Sequence, residues 1–179
     1  MKGNAFVVGI CLLLSLTGLA VSQDSPYAGQ QERSIKALSA EEVRSLQAGE
    51  GMGFAKAAEL NHYPGPKHVL AMAAELKLSA EQAVRAQEIF ARMQREAKAL
   101  GRKLMEKEGE LDRAFSGGKA EEAAVSGLTL EIGELMGRLR NAHLRAHLEM
   151  RAVLSPEQVE AYDRLRGYGE GHQHKGEHH

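Results

Sequence analysis

The residues best suited to chemistry in this sequence are histidines, and six of the eight fall into two groups. His143 and His147 belong to the run His143-Leu-Arg-Ala-His147-Leu-Glu-Met150. Four residues apart on a helix, their imidazoles stand on one side, about one turn apart, where they could grip a single metal ion. With Ile132 taken as the zero of an ideal helical wheel, His143 falls near ~20°, His147 near ~60° and Met150 near ~0°. Two imidazoles and a thioether suit soft or borderline ions, namely zinc, copper or nickel. If a hairpin turn is centred near Gly117, Glu88 comes roughly level with His147 and could complete or orient the site. A plainer alternative stays open: Met150 belongs to a packing seam, and His143 is a hydrogen-bonded edge residue. The second group, His172, His174, His178 and His179, lies in the tail GYGEGHQHKGEHH. A segment so rich in Gly, Lys and Glu cannot bury a core and is expected to be disordered, binding divalent ions loosely and less well as the imidazoles protonate.

No catalytic set accompanies these histidines. The sequence has no HExxH and no glycine-rich phosphate loop, and Ser116 has no base near it in sequence. Carboxylates alternate with Lys and Arg, as on a solvated helix face. The reading is therefore a non-enzyme that requires no cofactor, with a divalent metal as its possible ligand.

The elements that must position the helix histidines are themselves helices. Trp is absent and Phe and Tyr number four each, while Ala, Leu, Glu and Arg dominate, a composition of packed helices rather than of a sheet. Ser39 and Glu42 form a capping box for a short helix from Ala40 to about Gln47. Gly49, Gly51 and Gly53 loosen the chain before a helical pattern from Phe54 to Leu60. The turn Asn61–Pro66, with His62 in it and His68 just after it, leads to a helix expected to run from Pro66 through Leu76. Ser79 and Gln82 open the longest helix, with a seam at 83, 86, 90, 93, 97, 100, 104, 111 and 115. Ser116, Gly117 and Gly118 stop it. A second long helix, about Ala120 to Val153, carries a seam at 128, 132, 135, 139, 142, 146, 150 and 153. Two such seams joined by a tight Gly turn predict an antiparallel hairpin. Leu130, Leu144 and Leu148 fall on the face opposite the second seam, a surface for a partner helix or for clients. Gly127, Gly133 and Gly137 weaken that helix by up to ~1 kcal/mol each, which suggests close packing or bending there. Ser155, Pro156 and Gln158 start a last helix that runs to about Arg166.

The N-terminus reads as an export signal. Lys2 precedes an apolar run from Ala5 to Leu16, and Ala20 and Ser22 suit cleavage before Gln23. The run is short for a membrane span. Cys11, the one cysteine, lies inside it, so the exported chain would have no disulfide. Formal charge is −1 for the whole chain and removing the signal takes away Lys2 alone, which gives no reason to expect nucleic acid as a partner. The organisation expected is a signal peptide over 1–22, an N-terminal extension with short helices over 23–65, a helical domain over 66–166 and the tail over 167–179.

Two segments echo each other: Leu78-Ser79-Ala-Glu-Gln82 at the start of the first long helix, and Leu154-Ser155-Pro156-Glu157-Gln158 at the start of the last. In these motifs, their spacing and the intervening hairpin the chain resembles the Spy/CpxP family of bacterial envelope stress proteins, whose Leu-Thr-x-x-Gln motif occurs twice at helix starts. Ser79 and Ser155 here replace the threonine and keep the capping hydroxyl. The resemblance covers about residues 66–166. It implies an all-α, four-to-five-helix hooked hairpin that pairs with a second copy as a homodimer in the periplasm. It further implies an ATP-independent chaperone or stress adaptor holding unfolded or partly folded envelope proteins. In the CnrX and ZraP branches the same scaffold binds metals for sensing or resistance, and a membrane-bound sensor or anti-sigma factor becomes a possible partner. Met93, Met105 and Met136 could help a client surface adapt, although at seam positions they more often serve the core.

Overall fold

The computed structural model describes residues 25–118 and 120–168; the signal segment and the four tail histidines lie outside the described residues. Residues 25–31 form overlapping turns of their own, with the Ala28 N–H donating to the Ser25 carbonyl at 2.9 Å and the Gln30 N–H to that of Tyr27 at 3.0 Å. From residue 32 onward the described chain is helical, with no strand.

Six helices follow: α1 (Ala40–Ala48), α2 (Lys56–Glu59), α3 (Pro66–Ala71), α4 (Ala80–Ser116), α5 (Glu122–Val153) and α6 (Pro156–Arg166). Three of their starts form as the capping residues require. In each of Ser39/Glu42, Ser79/Gln82 and Ser155/Gln158 the hydroxyl accepts from the backbone N–H three residues on, while the later side chain accepts from the N–H of the serine. The two long helices pack as an antiparallel hairpin, α4 being about 55 Å long. Ala86, Ile89, Met93, Ala97, Leu100 and Leu104 of α4 close against Ile132, Leu135, Leu139, Ala142, Ala146 and Met150 of α5. Each fully buried Leu, Ile or Met contributes about 1.5–3 kcal/mol.

The seam departs from its expected course in two places. Ile89 is buried where Phe90 was expected, and Phe115 at the far end is 60% exposed. The second departure follows from the turn. Glu121 is extended (φ −99°, ψ 144°), so α5 begins at Glu122 rather than at Ala120. The cross-hairpin pairs Arg92–Glu149 and Arg145–Glu96 then place the mirror point of the hairpin between Ala120 and Glu121, not at Gly117.

The short helices α1 and α3 pack against α4. A Cβ on Gly101 would come within 2.6 Å of the Leu46 carbonyl oxygen, so the absent side chain lets the backbone of α1 lie directly on α4. Gly49 ends α1 in the left-handed region (φ 68°), and a Cβ there would lie 3.0 Å from the Gln94 carbonyl oxygen. α3 ends earlier than its sequence suggests, at Ala71. One further turn follows and closes with the Lys77 N–H on the Ala74 carbonyl and the Leu78 N–H on that of Ala73, Lys77 taking the left-handed conformation usual for glycine (φ 50°). That turn carries Leu76 into the core at 2% exposure.

The two Leu-Ser-x-Glu-Gln segments do more than cap. The Gln82 side-chain N–H₂ donates to the Val153 carbonyl at 3.0 Å and to Gln158 Oε1 at 2.8 Å. Gln158 reciprocates, donating to the Leu76 carbonyl at 3.1 Å and to Gln82 Oε1 at 3.0 Å. The paired amides clasp the starts of α4 and α6 to the end of α5.

Candidate functional site

His143 and His147 lie on the inner face of α5 and are buried, at 4% and 9% exposure. Together they line a cavity of roughly 180 Å³ between the hairpin and the segment that joins α1 to α3. Met93 and Phe90 of α4 form the opposite wall, Gly51 and Gly65 lie in the joining segment, and Glu50, Lys67 and His68 stand around it.

The joining segment is shaped around the two rings. Phe54 lies nearly parallel to His143, with ring centroids 6.0 Å apart and an interplanar angle of 22°. The His143 Nε2 is fully buried and has no hydrogen-bond partner. Burial, and secondarily the neighbouring His147, hold its pKa below the ordinary imidazole value, so the ring is neutral and can offer a lone pair. His147 is oriented differently. Its Nδ1 lies 2.7 Å from the Tyr63 carbonyl oxygen; a carbonyl only accepts, so in the neutral ring Nδ1 carries the proton and Nε2 keeps its lone pair. A Cβ on Gly65 would sit 3.2 Å from that Nε2 and 3.0 Å from Cε1. Glycine at this position leaves room beside the nitrogen that a ligand would use.

A carboxylate sits behind His147, and it belongs to Glu59. Its Oε2 is 3.7 Å from His147 Nδ1. Its Oε1 accepts from the Tyr162 hydroxyl at 2.6 Å, Arg166 Nε at 3.1 Å and the Tyr168 hydroxyl at 3.3 Å. Tyr162 is wholly buried, accepts from the Gly65 N–H at 3.3 Å, and has its phenol pushed upward by desolvation and then by Glu59. His68 Nδ1 lies 3.6 Å from the same carboxylate, and burial followed by Arg166 lowers its pKa. His62 approaches a different acid, its Nδ1 2.7 Å from Asp163 Oδ2. These contacts fasten α2 and the turn after it to α6.

Not all of the residues singled out in the sequence come together. His143 and His147 do, whereas Met150 is wholly buried in the hairpin core and the thioether lining the cavity is that of Met93. Glu88 is half exposed and pairs with Arg85 at 3.0 Å. The true mirror point of the hairpin puts it level with Val153, with which it shares a surface groove, rather than with His147. That is a displacement of six residues, about 9 Å along the helix. Leu130 and Leu148 are 73% and 56% exposed, and Leu144 is partly buried. Gly127, Gly133 and Gly137 meet nothing within 4 Å of a Cβ position, so the close packing they suggested is not made within this chain. His172, His174, His178 and His179 lie outside the described residues.

Sequence reasoning missed Glu59, Tyr63 and Gly65, and read Met93 as a seam or client-surface residue. The NHYPGP turn holds Tyr63 and Gly65, but the partners of Glu59 and Tyr63 lie roughly 80 to 100 residues away in the chain. Among the described residues no group of three or more His, Cys, Asp and Glu side chains is placed to hold a metal ion. Nor is any described helix long and apolar enough to cross a membrane.

No curated protein and no solved structure matches the chain. A family model described as heavy-metal resistance matches residues 51–161, a span that begins inside the joining segment and takes in His143, His147 and both Leu-Ser-x-Glu-Gln motifs. With more than half of its length matched, the chain belongs to the heavy-metal resistance family, which is related to the Spy/CpxP proteins.

Proposed function

We propose that this protein is a non-enzymatic metal-binding component of the bacterial periplasm, exported by its N-terminal signal, that takes up a soft or borderline transition-metal ion between His143 and His147. The observation that carries this reading is the buried, partnerless Nε2 of His143, a residue that lines one cavity with His147. A buried nitrogen left without a partner costs about 1–3 kcal/mol, a cost that a ligand would remove. His147 supports the same reading, since its Nδ1 contact with Tyr63 has the form of the outer hydrogen bond that orients metal-ligating histidines. A bound ion would supply a charge holding α5 to the joining segment. The tail histidines would collect ions loosely outside this cavity.

Calorimetric titration with Zn(II) and Ni(II) tests the reading on a chain whose four tail histidines are Gln. One site is expected, and it should vanish in the His143→Ala/His147→Ala variant. Equal binding by both proteins, or none by the first, would overturn the proposal.

A second reading rests on a different surface. Leu130 and Leu148 are exposed on the outer face of α5 and Leu144 is partly buried there, beside three glycines with open space before them. This supports a homodimer contact or a holding surface for unfolded envelope proteins, as in the Spy/CpxP type of ATP-independent chaperone. Suppression of client aggregation near one-to-one stoichiometry, without nucleotide, is the expected result.

A further inference from the structure

We infer that the cavity selects a soft monovalent cation, cuprous copper or its analogue silver(I), and that Met93 confers this preference as a third ligand from across the hairpin. The inference rests on the metal-binding reading of the same cavity and goes further by naming the class of ion.

The chemistry of the walls carries it. Met93 and Phe90 line the same cavity as the two imidazoles, and the Phe54 ring stacks on His143. Thioethers favour soft ions such as Cu(I), whereas Zn(II) is ordinarily held by four N, S or O donors. His68 also lines the cavity, but no three His, Cys, Asp or Glu side chains among the described residues are placed to hold one ion together. The nearest carboxylate, Glu59, has one oxygen engaged by two tyrosines and an arginine, and the other lies on the Nδ1 side of His147. Glu50 is exposed and accepts from the Ser45 hydroxyl at 3.0 Å. Two imidazoles and one thioether make a neutral, three-coordinate set.

Charge points the same way. The cost of bringing an ion into a poorly solvated cavity grows with the square of its charge, so a divalent ion incurs about four times the penalty of a monovalent one in the same place. The opposite charges of Lys67 and Glu50, which both line the cavity and are both exposed, offset one another. With no anionic ligand to offset the desolvation penalty, the monovalent ion is favoured.

The test is competition with a chelator, using Ag(I) as the probe in parallel with Zn(II). It uses the full chain with Cys11→Ser and the four tail histidines as Gln, so that neither group competes. Met93→Leu keeps the core volume and should lower Ag(I) affinity at least about tenfold, while changing Zn(II) affinity less than about threefold. Met150→Leu, which removes the core thioether, should leave both unchanged. Unfolding curves of the metal-free variants confirm that each is folded. Should Met93→Leu leave Ag(I) binding intact, or weaken both ions alike, the selectivity is refuted and the metal-binding reading stands. Loss of Ag(I) in Met150→Leu instead would move the ligand to the other thioether and also refute it. If neither ion binds the parent protein, both readings fall together.

Discussion

Replacing His143 by Leu should make the metal-free protein more stable. The ring is 4% exposed and its Nε2 has no partner, so the imidazole bears a desolvation cost of about 1–3 kcal/mol that a leucine of similar size avoids. The contact with Phe54 becomes an ordinary apolar one. For a chain of this length each kcal/mol raises Tm by about 2–4 °C. A pH dependence should disappear at the same time. Burial lowers the pKa of His143 in the folded state, so as pH falls below the unfolded value near ~6.5 the unfolded chain takes up a proton that the folded one refuses. Stability from this source is complete above that value and is lost as pH drops toward the folded pKa, with a slope of at most about 1.4 kcal/mol per pH unit for one histidine. Thermal unfolding of both proteins between pH 8 and pH 5, with and without metal, reads all three effects. The leucine variant should start higher, slope less and gain nothing from metal, while the parent rises with ion concentration and the two curves cross. A variant that is less stable at pH 8, keeps the slope and still responds to metal would refute the reasoning, because His143 would then be a satisfied core residue.

Three other substitutions address the scaffold. Gly101→Ala would place a methyl 2.6 Å from the Leu46 carbonyl oxygen; lifting α1 should cost about 1–3 kcal/mol, more than the ~1 kcal/mol that alanine returns in helix propensity, and chemical denaturation measures the balance. Gly127, Gly133 and Gly137 changed together to Ala should stabilise the isolated chain by up to about 3 kcal/mol, because nothing opposes the added methyls; a loss of self-association in sedimentation would show that a second copy approaches there. Leu144 and Leu148 changed together to Glu should give a monomer if the outer face of α5 is a dimer contact. An unchanged sedimentation coefficient would assign that face to clients or to solvent.

The helix starts were legible because each depends on a few adjacent residues. A serine with Glu or Gln three places on specifies its own hydrogen bonds, and all three such boxes formed where they were read. The hairpin was legible from its seams, and the inward placement of Ile132, Leu135, Leu139 and Met150 followed from their period. What depended on register was not. Taking the turn at Gly117 brought Glu88 to His147, but the extended Glu121 shifts every pairing of the hairpin and removes that contact. The choice between Met93 and Met150 was equally hidden. Both fit a seam, and only the way the joining segment lies over the hairpin leaves the one beside a cavity and the other in the core. The hydrogen bonds of Glu59 join residues more than 100 positions apart, a distance over which local pattern carries no information.

The paired glutamines bear on when the molecule closes as well as on how it is held. Gln82 and Gln158 are 76 residues apart in the chain, and joining such distant points in an open coil costs about 4 kcal/mol in loop entropy alone. The hairpin lowers that cost if it zips from its Gly turn, since Gln82 and Val153 meet only when the first turns of α4 have packed against the last turns of α5. The amide pair then belongs to the final step of folding and to the first step of opening. Its interactions are absent from the rate-limiting structure, so weakening them with Gln82→Ala should speed unfolding and leave refolding nearly unchanged. The twin motifs on this view govern the lifetime of the closed molecule, and with it the time for which any ion behind the joining segment stays shut in.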